Sequence, residues 1–254
     1  MPQSDTQSQT ALWAIVPAAG IGRRMDSDIP KQYLPLYGKT VIEYTLQKLS
    51  TIAALSGIIV AIAEDDPYWP KIHVDVAKPI TVVKGGEERC HSVLNALTHL
   101  QAYCQPHDWV LVHDAARPCV LSSDLHQLVD SLRDNEVGGL LGIPVRDTMK
   151  RADQDGFVQK TVEREGLWHA LTPQMFRFHV LYYALCSALE QEQLVTDEAS
   201  AIELAGFSPK MIEGHSENIK ITRPEDLTLA GFYLQQQTEQ GLLGSSADGL
   251  EDGG

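Results

Sequence analysis

The chain is short of basic residues, of closely spaced cysteines and of long apolar runs, and each shortage removes a class of function. Its 254 residues carry 20 Lys and Arg against 34 Asp and Glu, a formal net charge of −14. Duplex DNA and anionic membranes are bound through Lys and Arg, so neither nucleic acid nor a membrane is an expected partner. No apolar run approaches the ~20 residues that span a bilayer. The first ten residues, MPQSDTQSQT, hold no Lys or Arg and no apolar stretch. That is not the pattern of a secretory signal or an Arg-rich transit peptide, and the expected location is cytoplasmic. Cys90, Cys104, Cys119 and Cys186 form no C-x-x-C pair, and the nine histidines form no H-E-x-x-H pair. A thiol redox centre and a Cys- or His-built metal site are therefore not expected.

The chain does have apolar residues enough for a proper core, 43 % of the total, and they come in short blocks. Leu12–Val16, Gly57–Ala63, Ile80–Val83, Trp109–Val112 and Val137–Val145 read as buried strands. Between them lie amphipathic helical patterns. One opens at Thr40, with Glu43 completing a capping box. Another carries Val93, Leu94, Leu97 and Leu100 on one face, and a third, capped by Ser123, carries Leu125, Leu128, Val129 and Leu132. This alternation predicts an α/β domain with a mainly parallel twisted sheet. Ligands of such sheets bind outside the carboxyl ends of the strands, which directs attention to the loops after Val16, Val83, Val112 and Val145.

Beyond Val145 the pattern changes. Residues 147–165 are polar, with a strand candidate at Phe157–Val162 and an Asp155-Gly156 turn, and read as a two-stranded excursion. Helices are expected at His179–Glu190 and Asp197–Ala205, the latter capped by Thr196, and from Pro224 to about Gln237. Edge strands are expected at Lys210–Ile212 and Ile219–Ile221. The domain assignment is a single unit over 11–238, an arm at about 146–166, and disordered tails at 1–10 and 239–254.

The first loop, PAAGIGRRMDSDIPKQY from Pro17 to Tyr33, combines Gly20 and Gly22 with Arg23, Arg24 and Lys31. Backbone N–H groups at glycines and nearby cations suit a bound phosphate, although solvated bases on a flexible loop are the simpler alternative. Met25 occupies the third glycine position of a dinucleotide fingerprint, and no Walker A loop is present. Separate, long basic side chains suit a triphosphate better than a dinucleotide. Asp114, at the carboxyl end of a buried strand, suits a hydrated Mg²⁺ or a sugar hydroxyl. His91 reads as a helix-surface residue.

PAAGIGRRM and PKQY resemble the signature loop of nucleotidyltransferases that activate small phosphorylated alcohols and sugars. GGEER from Gly85, VHDAARP from Val112, PVRDTMK from Pro144, GLWHALTPQ from Gly166, TDEAS from Thr196 and NIKITRPED from Asn218 follow in order. The set resembles the 2-C-methyl-D-erythritol 4-phosphate cytidylyltransferases over about residues 12–235. The resemblance implies a Rossmann-like fold with helices on both faces of the sheet and a protruding β-arm for dimerisation. It implies CTP and methylerythritol phosphate as substrates, with a cytidylyltransferase for another polyol phosphate such as ribitol 5-phosphate, or a non-catalytic nucleotide sensor, as alternatives. Arg24, Lys31, Arg164 and Lys220 are its implied catalytic residues. Ala18, Ala19, Gly20, Gly22, Gly86, Glu87, Ser92 and Asp114 would bind CTP. Asp114, Ala115, Arg117, Thr148, Arg164, Thr172 and Lys220 would bind the acceptor. No protein metal ligand is implied; Mg²⁺ or another divalent cation would be held mainly by the CTP phosphates. The arm would complete the site of the other subunit in a homodimer.

Overall fold

The computed structural model describes residues 10–20, 25 and 28–241. Gly22, Arg23 and Arg24 of the first loop lie outside the described residues, as does most of each expected tail.

Strand β1 (Leu12–Pro17) leads through a short 3₁₀ turn (Lys31–Tyr33) to a small hairpin, β2 (Pro35–Leu36) and β3 (Lys39–Thr40), and then α1 (Val41–Ser50). The expected capping box is present: the Glu43 carboxylate accepts from the Thr40 N–H at 2.5 Å. Then follow β4 (Leu55–Ile62), β5 (Ile80–Lys84), α2 (Arg89–Leu100), β6 (Trp109–Val112), α3 (Ser122–Leu132) and β7 (Gly138–Pro144). A hairpin of β8 (Met149–Ala152) and β9 (Val158–Val162) interrupts the sheet before β10 (Trp168–Arg177). The chain closes with α4 (Phe178–Glu190), α5 (Glu198–Leu204), β11 (Lys210–Glu213) and α6 (Pro224–Glu239).

Seven strands form the main sheet in the order β11-β7-β10-β6-β1-β4-β5. All neighbours are parallel except β10, which runs antiparallel to both β6 and β7. Successive strand side chains point to opposite faces, and two cores follow from that rule. Ala14, Val16, Ile58, Val60 and Leu111 meet α1 and α3 on one face. Ile15, Ile59, Val110 and Val112 meet α2, α4 and α5 on the other. A third cluster seats α6, through Ala230 and Leu234, on Leu34, Leu36 and Val41 beside the first loop. Among the described residues no helix is long and apolar enough to cross a membrane.

Several sequence expectations are corrected. Strand β10 was not anticipated, because Pro173 and a register irregularity between Ala170 and Gln174 hide its alternation. Ile219–Ile221 is not a strand; it is an extended connection whose Ile221 N–H donates to the Ala116 carbonyl at 2.9 Å. Asp197, not Thr196, caps α5, its carboxylate accepting from the Ser200 N–H at 3.0 Å. Helix α3 starts at Ser122 on an N-cap of Leu121, without the side-chain cap expected of Ser123. Helix α6 runs through Glu239, into the expected tail. The polar excursion is the expected hairpin, with Phe157 and Val158 exposed near its tip.

Gly138, which opens β7, has φ +133° and lies against β10, where a Cβ would sit 2.2 Å from the Met175 carbonyl oxygen. Gly138→Ala combines a disfavoured backbone with a backbone clash and is expected to lower stability by at least about 2 kcal/mol, read as a fall in the urea midpoint at constant slope. An unchanged midpoint would show that β7 and β10 separate at little cost.

Candidate active site

The carboxyl ends of β1, β5 and β6 converge on a cavity of about 260 Å³. Ala18 continues β1, donating its N–H to the Ala61 carbonyl at 2.7 Å, and Gly85 continues β5, donating to Ile62 at 2.7 Å. These bonds bring the two glycine-containing turns face to face. Gln32, buried beneath the first loop, donates from Nε2 to the Ala18 carbonyl at 2.7 Å and to that of Gly20 at 3.1 Å. The amide thus fixes the edge of the cavity, and among the described residues no atom lies within 4 Å of a Cβ placed on Gly20.

Across the cavity, Ser92 accepts the Gly86 N–H at 3.0 Å and donates to the Glu88 carbonyl at 3.3 Å. Its hydroxyl therefore shapes the turn as well as lining the cavity. The resemblance places Gly86 among the residues that would bind CTP. The structure supplies a reason for glycine there: a Cβ would lie 2.3 Å from the Cβ of His91. His91 itself accepts the Glu88 N–H on Nδ1 at 3.3 Å, at the start of α2.

The cavity floor is an ionic cluster. Arg89 Nε donates to Asp114 Oδ1 at 2.9 Å, while Nη1 and Nη2 reach the two oxygens of Glu198 at 2.6 and 3.0 Å. Lys220 Nζ lies 2.8 Å from Asp114 Oδ2, and Arg117 Nε lies 3.6 Å from it. Three cations thus face two buried carboxylates, leaving a net positive floor. Burial opposes ionisation of Asp114, but Arg89, Lys220 and Arg117 outweigh it and hold the carboxyl far below its usual range. Burial likewise opposes the charge of Arg89, and Glu198 and Asp114 overcome it. Arg117 is anchored by donating from Nη1 to the Asn218 carbonyl at 2.6 Å.

A hydrogen-bonded chain holds Asp114 from behind. Its N–H donates to Thr172 Oγ1 at 3.1 Å, and Thr172 Oγ1 lies 3.0 Å from His113 Nδ1. His113 Nε2 lies 3.1 Å from the Arg117 carbonyl, which can only accept. Nε2 therefore carries the proton and Nδ1 accepts from the hydroxyl. Burial keeps this imidazole neutral, pushing its pKa down to about 4.

A second cavity, of about 210 Å³, opens beyond the cluster and is lined by Arg117, Thr172, Gln174 and Thr196. Arg89, Asp114 and Lys220 line both cavities and form the partition between them. Lys31 enters the first, donating from Nζ to the Ile221 carbonyl at 3.0 Å. The structure thus brings together Ala18, Ala19, Gly20, Lys31, Gly86, Glu87, Ser92, Asp114, Ala115, Arg117, Thr172 and Lys220. Thr148 and Arg164 lie on the exposed arm and line neither cavity of their own chain; Arg164 donates to the Arg146 carbonyl at the arm's base. Among the described residues no three His, Cys, Asp or Glu converge as a metal site.

Sequence reasoning missed Arg89, Glu198 and Gln32. Arg89 carried a local signal, since a cation in the first turn of a helix opposes the helix dipole and needs a reason to be there. Gln32 and Glu198 lie within the PKQY and TDEAS motifs, but nothing local to them pointed to their partners, which lie far away in sequence.

The family model of the 2-C-methyl-D-erythritol 4-phosphate cytidylyltransferases matches residues 12–236. The protein of that name from Vibrio vulnificus strain CMCP6 is 50 % identical over 234 residues, 92 % of this chain and 99 % of that protein. The one from Pseudomonas entomophila is 54 % identical over 218 residues, 85 % of this chain and 93 % of that protein. The crystal structure of the Francisella tularensis protein of that name superposes with a TM-score of 0.76 at 37 % identity, covering 88 % of this chain and 100 % of that one. The chain belongs to the 2-C-methyl-D-erythritol 4-phosphate cytidylyltransferase family.

Proposed function

We propose that the two adjoining cavities receive the two substrates of the family reaction, CTP in the first and the acceptor phosphate in the second. The chain transfers the cytidylyl group of CTP to the phosphate of 2-C-methyl-D-erythritol 4-phosphate and releases pyrophosphate, a step of isoprenoid precursor synthesis. The observation that carries the assignment of the cavities is the shared partition of Arg89, Asp114 and Lys220. A nucleotide on one side and an acceptor on the other would meet across it.

In this reading an acceptor phosphate oxygen attacks the α-phosphorus in line with the departing pyrophosphate. One P–O bond forms and one breaks, and the leaving group keeps the electron pair. The acceptor is ionised at neutral pH, so no general base is needed. Two anions must approach, so the protein's task is positioning and neutralisation. Lys31, as a compact point charge, and Arg24, as a fork for two oxygens, would stabilise the charge that gathers on the α-phosphate and leaving group. Gly86, Glu87 and Ser92 would read the cytosine edge, with Ala18 and Ala19 opposite. Arg117, Thr172 and Lys220 would hold the acceptor. A divalent cation would arrive on the CTP phosphates and neutralise part of their charge.

Thr148 and Arg164 would serve the other subunit of a homodimer. The reading is supported by the exposed apolar side chains of the arm, Met149, Phe157 and Val158. A two-stranded hairpin is at best marginally stable alone, so these side chains need a surface to lie on.

Pyrophosphate release with CTP, ATP, GTP or UTP, and with methylerythritol phosphate or ribitol 5-phosphate as acceptor, tests the assignment. Turnover should be confined to CTP with methylerythritol phosphate; equal turnover with ribitol 5-phosphate would overturn the acceptor assignment. Lys31→Ala should keep its circular dichroism spectrum and lose ~10²–10³-fold in kcat. Excess chelator should abolish turnover and added Mg²⁺ restore it, whereas full activity in chelator would remove the cation from the scheme. Arg164→Ala and Lys31→Ala homodimers should each be nearly inactive. Once sedimentation shows that heterodimers have formed, mixing should restore up to about half of wild-type activity, because one site then holds both defects and the other none. If the arm serves its own chain, mixing restores nothing.

A further inference from the structure

Each nitrogen of the Arg89 guanidinium donates to a protein carboxylate, which engages three of its five N–H groups. Nε holds Asp114 Oδ1, and both terminal nitrogens hold Glu198. Glu198 is fully buried in the first turn of α5. Helix α5 is fixed in turn from the neighbouring strand: Gln174 Oε1 accepts the Ala199 N–H at 2.7 Å, and Gln174 Nε2 donates to Asp197 at 2.9 Å. Arg89 therefore connects a rigidly held helix to the carboxylate that lies between the two cavities. By occupying Oδ1 it leaves Oδ2 facing Lys220 at 2.8 Å. The Asp114 N–H fixed on Thr172 leaves the side-chain rotation as the main remaining freedom, and Arg89 restrains it at Oδ1 while Lys220 and Arg117 meet Oδ2.

We infer that Arg89 is a positioning residue for the transfer reaction: it locks Asp114, and through it the ammonium of Lys220, in the orientation that receives the acceptor, and acts through that carboxylate. Glu198 is the anchor that aims it. The inference rests on the assignment of Asp114 and Lys220 to the acceptor.

The test is a kinetic double-mutant cycle in the full-length protein with Arg89→Gln, Asp114→Asn and the double variant, scored by pyrophosphate release with both substrates varied. Arg89→Gln should lose on the order of 10²-fold in kcat, the scale of a small misplacement of a reacting group. KM for the acceptor should rise with it, while KM for CTP should stay within about twofold of wild type. The double variant should be no slower than Asp114→Asn alone, since Arg89 acts through that carboxylate. Arg89→Lys keeps the charge and one of the two contacts and should recover about tenfold over Arg89→Gln. Additive losses in the cycle, unchanged kcat in folded Arg89→Gln, or a rise confined to KM for CTP would each overturn the inference, the last by making Arg89 a nucleotide contact. If Arg89→Gln does not fold, the same cycle with Arg89→Lys applies the same criteria. Wild-type-like kinetics of Asp114→Asn would instead strike down the acceptor assignment, separately from the role of Arg89.

Discussion

The site depends on one constraint: a carboxylate, Asp114, held ionised where burial alone would neutralise it. Three cations from three places in the chain meet it, Arg89 from α2, Arg117 from the loop after β6, and Lys220 from the connection before α6. Leaving one charge of such a group buried without its partner typically costs about 3–5 kcal/mol. The cluster therefore binds the fold as strongly as the fold binds it. Its excess positive charge also suits it to two phosphorylated ligands in a chain whose net charge is −14.

The arrangement around Asp114 is stiff because each backbone turn that reaches it is secured by a side chain from elsewhere. Gln32 ties down the Ala18–Gly20 loop, Ser92 the Gly85-Gly86 turn, and the Thr172–His113 pair the Asp114 backbone. None of these groups needs to touch a substrate to matter. Their hydrogen bonds are buried or nearly so, and preorganised polar groups in such surroundings need no reorganisation at the moment of reaction. The arm is the opposite case: it extends away from the sheet with apolar residues exposed, and its two candidate site residues lie apart from both cavities.

Much of the fold was legible in the sequence. The blocks at Leu12–Val16, Gly57–Ala63, Ile80–Val83 and Trp109–Val112 are strands because short β-branched runs between amphipathic helices have few other ways to be buried. Strand β10 was not legible, since a bulged strand with a proline in it lacks period-two alternation. Ile219–Ile221 looked like a strand for a related reason. Alternating apolar residues mark an extended segment, but not whether a neighbouring strand is there to pair with it.

The site divides in the same way. The sequence by itself determined the chemistry available at each strand end: glycines and cations after β1, a glycine turn after β5, an Asp and an Arg after β6, a lysine late in the chain. These are local choices of residue type, and the motif order alone pointed to the family. Only the tertiary structure decided that Arg89 would bridge Asp114 and Glu198, 25 and 109 positions away, and that a Cβ at Gly86 would meet His91. The physical reason is that an ion pair or a close approach between distant residues leaves no periodic trace in the chain. It exists only once the packing of α2, α5 and β6 has set the distances.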